Sequence, residues 1–354
     1  MKPLDKKCIL ITGGTGSLGK KLIHRILSAE MGRPNKIIVF SRDEAKQHQM
    51  RVDYLQKIAV TDEVIYQNFK ETLVFQIGDV RDLNSIIGVL QGVDIVINAA
   101  ALKQVPACEY APFEAVQTNV LGADNIVKAI QQHKLPVETV VGVSTDKACK
   151  PVNVMGMTKA IQERIFIQAN LRCLNTRFVC VRYGNVLASR GSVIPLFHEQ
   201  IRNGGPVTIT TSEMTRFLIS LDEAVDTIFA AIKEGLPGET YIPRVPSSLM
   251  THIAKALIGL QNIDIKTVGI RPGEKVHEIL IGAEEANRTV ERGKWYAVLP
   301  MLPELVKDKV KAGVLSKEYS SEDNVMTLEE TLQLLKDRKL MLEDADPNEG
   351  ELLR

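Results

Sequence analysis

The 354-residue sequence predicts an α/β protein built on a doubly wound parallel sheet, with a smaller discontinuous lobe appended. Three observations carry that expectation. Short Ile- and Val-rich runs alternate with longer amphipathic segments through the first half of the chain, and those runs are apolar on both faces. A glycine-rich turn then joins the first run to the first amphipathic segment, where such a fold places it.

Taken in order, strands are expected at Cys8–Thr12, Lys36–Phe40, Leu73–Ile77, Asp94–Asn98 and Val137–Val143, with a sixth at Arg177–Arg182. Helical spacing covers Ser17–Leu27, Asp43–Lys57, Phe113–His133 and Lys159–Asn170, with Asp43 and Pro112 as starting residues. Tyr54–Glu71 reads as a surface insertion with no assigned role. Beyond Tyr183, Gly191, Pro195 and Gly204-Gly205-Pro206 break the alternation, leaving a short strand at Val207–Thr210. Asp222–Lys233 is a helix expected to pack back on the sheet, Leu328–Leu335 is a last helix, and Glu343–Arg354 reads as a charged, mobile tail. The expected division is a nucleotide-binding domain of residues 1–185, with 214–238 packing back on it, a lobe of 186–213 and 239–340, and a tail of 341–354.

Composition excludes classes without naming a function. With 44 Lys+Arg against 43 Asp+Glu and 45% hydrophobic residues, the chain can bury a core and carries no basic excess for nucleic acid or anionic lipid. The apolar run Cys8–Ile11 is too short for a signal-peptide core, and no segment approaches the roughly eighteen apolar residues of a membrane span. A cytoplasmic protein without a membrane segment is the expectation. The five cysteines form no C-x-x-C pair, and no two histidines flank a carboxylate at helical spacing, so reduced thiols and no metal site are expected.

The first strand ends in Thr12-Gly13-Gly14-Thr15-Gly16-Ser17-Leu18-Gly19 and runs straight into a helix. Glycine is required there for the sharp turn and for close approach of backbone to a pyrophosphate, and the helix directs its N–H groups at the phosphates. Gly13, Thr15, Gly16, Ser17, Leu18 and Gly19 are therefore candidate dinucleotide ligands on a Rossmann-like sheet. The second strand ends Phe40-Ser41-Arg42-Asp43. Arg42 and Ser41 suit a 2′-phosphate and favour NADP, while Asp43 keeps NAD open. Asp79 and Val80 close the third strand near the adenine, and the small side chains of Ala99, Ala100 and Ala101 close the fourth near the nicotinamide ribose.

The fifth strand runs into Ser144-Thr145-Asp146-Lys147, followed at a helix start by Met155-Gly156-Met157-Thr158-Lys159. That arrangement resembles the short-chain dehydrogenase/reductase superfamily, with Met155 in the position usually held by a tyrosine. The ordered motifs Leu102-Lys103-Gln104-Val105-Pro106, Ser144–Lys147, Arg182-Tyr183-Gly184-Asn185-Val186, Ser189–Pro195, Met214-Thr215-Arg216-Phe217 and Arg271-Pro272-Gly273-Glu274-Lys275 narrow the resemblance. They are similar to the extended members that act as 5-inverting UDP-N-acetylglucosamine 4,6-dehydratases, including capsule-type members with Met-x-x-x-Lys.

The resemblance implies an NADP-dependent enzyme that oxidises C4, removes the acidified C5 proton, expels the 6-hydroxyl, returns the hydride to C6 and reprotonates C5 on the opposite face. It assigns Asp146 as acid and Lys147 as base. A base must be neutral, so a depressed Lys147 pKa is expected. Lys159 would hold the nicotinamide ribose, Thr145 would bond near the C4 oxygen, and Lys103 would lie by substrate or nicotinamide. Tyr183 and Asn185 would line the cofactor site. Arg216 and Arg271 would clamp the UDP diphosphate with Asn185 and Glu274 as polar partners, and Val193 and Ile194 would meet the uracil. A dimer or hexamer is implied. Three alternatives stand: a UDP-hexose 4-epimerase, a C4 oxidase acting on a dehydrated UDP-sugar, and a non-catalytic NADP-binding regulator.

Overall fold

The computed structural model describes residues 2–56, 63–187, 192–306 and 313–344. Its centre is a nine-stranded sheet. The strands are β1 (Cys8–Thr12), β2 (Lys36–Ser41), β3 (Leu73–Ile77), β4 (Ile95–Asn98), β5 (Thr139–Val143), β6 (Arg177–Val181), β7 (Thr240–Pro243), β8 (Thr289–Arg292) and β9 (Trp295–Val298). Their spatial order is β8-β9-β7-β6-β5-β4-β1-β2-β3. From β3 to β7 every pairing is parallel, and β9 and β8 add an antiparallel edge. The order reverses between β1 and β4, which opens the crevice where a doubly wound sheet takes its ligands.

The strands are apolar on both faces because both faces are covered. Ile9 and Ile11 of β1 enter one buried layer with Leu22, Ile23 and Val225, while Leu10 enters the other with Ile126 and Phe166. Between the strands run α1 (Ser17–Leu27), α2 (Glu44–Gln56), α3 (Glu63–Thr72), α4 (Leu83–Val89), α5 (Gly122–His133) and α6 (Val154–Arg172). Asp43 caps α2, its Oδ1 accepting from the Lys46 N–H at 2.9 Å. Pro112 opens a short helix that passes through a π-helical turn, Val116–Leu121, into α5.

Three departures from the expected elements have simple causes. Tyr54–Glu71 is not a bare insertion: α3 buries Ile65 and Phe69, and the Phe69 ring stacks on Tyr54 at 5.1 Å. The polar majority of that segment hid one apolar pair at helical spacing. Helix α4 is a mere seven residues and escaped a periodicity argument, although Asp82 caps it by accepting from the Asn84 and Ser85 N–H groups. Segments expected in the lobe, Thr240–Pro243, Thr289–Arg292 and Trp295–Val298, instead extend the central sheet as β7, β8 and β9.

The lobe contains α7 (Val193–Arg202), while α8 (Leu221–Glu234) packs back on the central sheet as expected, and α9 (Met250–Ile258) and α10 (Leu328–Asp337) return to the lobe. Phe197, Ile201, Met214, Leu218, Ile253, Leu257 and Leu335 form its separate apolar core. The strand Thr215–Ile219 ties it together, pairing with Ser247–Leu249 on one side and Asn185–Val186 on the other. Ser189, Arg190 and Gly191 of the expected motif, Lys57 of the second helix and residues 345–354 of the expected tail lie outside the described residues. Among the described residues no helix is long and apolar enough to cross a membrane, and all five cysteines are free thiols.

Candidate functional site

The glycine turn takes its shape from contacts that leave no room for side chains. Gly13 has φ +67°, and a Cβ there would come within 2.8 Å of the Ala100 nitrogen on the neighbouring β4 loop. A Cβ on Gly19 would stand 2.4 Å from the Gly14 carbonyl oxygen, so α1 packs directly on the turn. At Gly16 a Cβ would meet just the Gly13 carbonyl oxygen, at 3.4 Å, which leaves that side of the turn open. Gly16 also caps α1 without a side-chain hydrogen bond, and Ser17 and Leu18 form its first turn. Thr12 Oγ1 donates to Asn98 Oδ1 at 2.7 Å and accepts from the Ala100 N–H at 3.2 Å, pinning the two strand ends that flank the crevice. Thr15 is buried beside them, while Ala99, Ala100 and Ala101 are partly exposed.

At the end of β2, Ser41 Oγ accepts from Gln47 Nε2 at 3.1 Å. The Arg42 side chain is 54% exposed, its Nη1 3.7 Å from Asp79 Oδ2. Partial burial raises the Asp79 pKa, but Arg81, bound at 2.8 Å, and Arg42 outweigh it and hold the carboxyl below its ordinary value. Val80 is buried, and its carbonyl accepts from Asn125 Nδ2 at 2.9 Å. Asp79, Arg81, Asp82, Gln117 and Leu121 line an open cavity of about 390 Å³ next to this strand end. An open glycine turn, an uncapped helix start and an exposed guanidinium at the second strand end together fit a dinucleotide.

On the other side of the crevice, β5 delivers Thr145, Asp146 and Lys147 into one polar cluster. Asp146 is fully buried; its N–H donates to the Tyr183 carbonyl at 3.0 Å, and its Oδ1 accepts from Thr145 Oγ1 at 2.9 Å. Lys147 Nζ reaches Asp146 Oδ1 at 3.0 Å, Asn185 Oδ1 at 3.1 Å and Glu278 Oε1 at 3.1 Å. Three acceptors saturate the three protons of an ammonium. Burial favours the neutral amine, yet Asp146 and Glu278 outweigh it, and the Lys147 pKa is raised above that of ordinary lysine. The expected depression is therefore corrected: two carboxylates, not desolvation, decide the charge.

Lys159, by contrast, is depressed. Burial pulls its pKa down to about 8. Its Nζ donates to the Val143 carbonyl at 2.5 Å and to Gln162 Oε1 at 2.6 Å. Met155, one turn earlier on α6, is buried against Cys108 and Ala115, with Leu102 and Val105 around them. A thioether there fills an apolar niche and supplies no titratable proton.

The expected phosphate clamps are placed differently from each other. Arg216 is buried, and its guanidinium donates to the carbonyls of Thr215 at 2.7 Å, Lys275 at 3.0 Å and Val276 at 3.1 Å. Arg271 is exposed, its N–H 3.4 Å from Glu274 Oε2, which also accepts from Thr210 Oγ1 at 3.3 Å. Val193 and Ile194 pack in the lobe core at the start of α7. Lys103 is exposed, on a loop that Asn119 fixes by bonding both the N–H and the carbonyl of Leu102, at 2.9 and 3.0 Å. Tyr183 is buried in the main core, with its phenol pKa pushed up by burial.

Sequence reasoning missed Glu278, Asn119 and Gln162. Glu278 stands three residues beyond the quoted Arg271–Lys275 motif, and its burial against Lys147 is a property of the packed chain that the string does not carry. Asn119 and Gln162 carry no local signal, since each matters through a loop or a lysine it reaches in space.

Comparison with known proteins places the chain in a family. Residues 9–300 match the family described as polysaccharide biosynthesis protein. A UDP-glucose 4-epimerase of Rickettsia canadensis (strain McKiel) is 41% identical over 93% of this chain and 95% of its own. An inverting UDP-N-acetylglucosamine 4,6-dehydratase of Campylobacter jejuni is 40% identical over 90% of this chain and 94% of its own. The solved structure of Pen from Bacillus thuringiensis superposes with a TM-score of 0.83 at 32% identity, covering 96% of this chain and 99% of that one. On the match of residues 9–300 and these near full-length similarities, the chain belongs to the polysaccharide biosynthesis protein family.

Proposed function

We propose that the protein is a 5-inverting UDP-N-acetylglucosamine 4,6-dehydratase that uses NADP, working in the cytoplasm as a homo-oligomer. The observation that carries this reading is the contact between Asp146 and Lys147 at the crevice end of β5, 3.0 Å apart with Asp146 fully buried. A change confined to C4 needs no such pair, whereas elimination across C5 and C6 needs a base and an acid side by side.

The chemistry that NADP supplies when bound is acceptance of a hydride from C4 and its return to C6. Gly13–Gly19 would cradle the pyrophosphate, Ser41 and Arg42 the 2′-phosphate, and Lys159 the nicotinamide ribose. Once C4 is a ketone, its hydroxyl proton lost to solvent because Met155 cannot accept it, the C5 proton is acidic. Passage of one proton from Lys147 Nζ to Asp146 creates both catalytic forms at once: a neutral amine for the C5 proton and a carboxylic acid for the departing 6-hydroxyl. This internal transfer replaces the loss of a proton to solvent that a depressed lysine would have required. The central sheet with its flanking helices would hold the cofactor, and the lobe built around α7, α9 and α10 would cover the sugar nucleotide. Exposed Arg271 is the better placed diphosphate clamp, since Arg216 is committed to backbone carbonyls.

Relatives named UDP-glucose 4-epimerase at 41% identity favour a second reading, inversion at C4 alone. Incubation with UDP-N-acetylglucosamine in deuterated water separates the two. Deuterium at C5 with loss of the 6-hydroxyl is the expected result; inverted C4 with an intact 6-hydroxyl and no deuterium at C5 would establish the epimerase instead.

A further inference from the structure

Glu278 reaches the Asp146–Lys147 pair from the lobe. It is 2% exposed; Oε1 lies 3.1 Å from Lys147 Nζ, while Oε2 is buried with no hydrogen-bond partner among the described residues. Its own N–H donates to Ser321 Oγ at 2.9 Å, which fixes the backbone that presents it. A buried carboxylate with one idle oxygen is costly unless a charge is held against it.

We propose that Glu278 is the positioning residue of the Asp146–Lys147 pair: its carboxylate orients Lys147 Nζ and keeps the one proton that Lys147 passes to Asp146 inside the site. The inference rests on the reading of Lys147 as the C5 base. In the catalytic cycle one Lys147 N–H bond breaks and one Asp146 O–H bond forms, the electron pair staying on nitrogen. The amine then takes the C5 proton, and Asp146 gives its proton to the 6-oxygen as the C6–O bond breaks and water leaves. The reactive arrangement holds the same number of protons as the resting one, so the site works for as long as that proton is retained. Glu278 retains it.

The surrounding charges assign this task to Glu278. Asp146 is the pair's own carboxylate and must receive the proton. Arg216 brings a second cation to the same oxygen, its Nε 3.9 Å from Glu278 Oε1. Lys275, the other nearby cation, donates to the Cys149 carbonyl at 2.6 Å. The Cys149 thiol turns to Glu285, and the His277 ring to Glu322, at 3.9 and 3.4 Å. Consistent with this arrangement, Glu278 is one of the two carboxylates that raise the Lys147 pKa.

The test is the pH dependence of C5 deuterium incorporation by the purified full-length protein supplied with NADP and UDP-N-acetylglucosamine, between pH 7 and pH 12. Glu278→Gln keeps an acceptor for Nζ but removes the charge. Its alkaline limb is expected to fall at least about one pH unit below that of the wild type, as for loss of an adjacent opposite charge. Glu278→Asp, whose shorter carboxylate stands farther from Nζ, is expected to lie between the two, and it serves alone if Glu278→Gln does not fold. An unchanged limb in the variant that folds, with Lys147→Ala inert, overturns the inference. Incorporation by Lys147→Ala would overturn the base assignment itself, a result distinct from the first.

Discussion

Arg182 Nη1 donates to Glu285 Oε2 at 2.7 Å across 103 residues of sequence, joining the end of β6 to the lobe. The same guanidinium binds Glu163 of α6, Nε to Oε1 at 3.0 Å and Nη2 to Oε2 at 2.6 Å, and donates to the Leu280 carbonyl at 2.8 Å. Burial raises the Glu285 pKa, but Arg182 overrides it and holds the carboxyl down to about 2.

Glu285→Gln leaves a buried guanidinium short of one partner and should cost about 3–5 kcal/mol, read by urea unfolding at neutral pH. A carboxyl depressed in the folded state stabilises fully above its ordinary pKa of 4.5, and that contribution is lost as pH falls towards about 2. The difference in stability between wild type and Glu285→Gln should therefore shrink through that acid window. A difference constant with pH would show that packing, not charge, sets the effect.

The glycine turn permits a contrast between two alanine variants. Gly19→Ala places a methyl 2.4 Å from the Gly14 carbonyl oxygen, so the turn must shift and both thermal stability and bound nucleotide should fall. Gly16→Ala meets the Gly13 carbonyl oxygen at 3.4 Å, an ordinary contact, so the fold should hold while nucleotide affinity drops. Equal losses of stability in the two would contradict this account.

Removing Arg42 should change the choice of cofactor. Arg42→Ala is expected to weaken NADP by about tenfold or more through loss of charged hydrogen bonds, with NAD affected little. Nucleotide released on denaturation, together with titration of the stripped protein, measures both. Equal affinity of the variant and the wild type for NADP would remove Arg42 from the site.

Lys147→Met should lower C5 deuterium incorporation by at least about a hundredfold, the scale of general-base catalysis, while bound nucleotide is unchanged. The side chain is 21% exposed, but its loss leaves the buried Asp146 and Glu278 carboxylates without their cation, so thermal unfolding of the variant is measured alongside. Incorporation at the wild-type rate would shift the base role to another group.

Much of this architecture was legible as a string. Cys8–Thr12 is read correctly as a strand because Ile9, Leu10 and Ile11 are consecutive apolar residues and brief runs of that kind are buried on both faces. The partnership of Asp146 with Lys147 is legible because they are adjacent. By contrast, α3 was hidden behind a polar surface, and β7, β8 and β9 were assigned to the lobe because an edge of a sheet is defined by its neighbours and not by its own sequence.

By itself the sequence determined the doubly wound order of elements, the glycine turn between β1 and α1, and the placement of Thr145, Asp146 and Lys147 at the end of β5. These depend on side-chain period and chain adjacency, which are properties of the string. Tertiary structure alone decided the charge of Lys147, the approach of Glu278 to it, and the commitment of Arg216 to the carbonyls of Thr215, Lys275 and Val276. The physical reason is that a buried charge takes its state from desolvation and from whichever partners lie within a few ångströms. Both are set only when distant segments pack together.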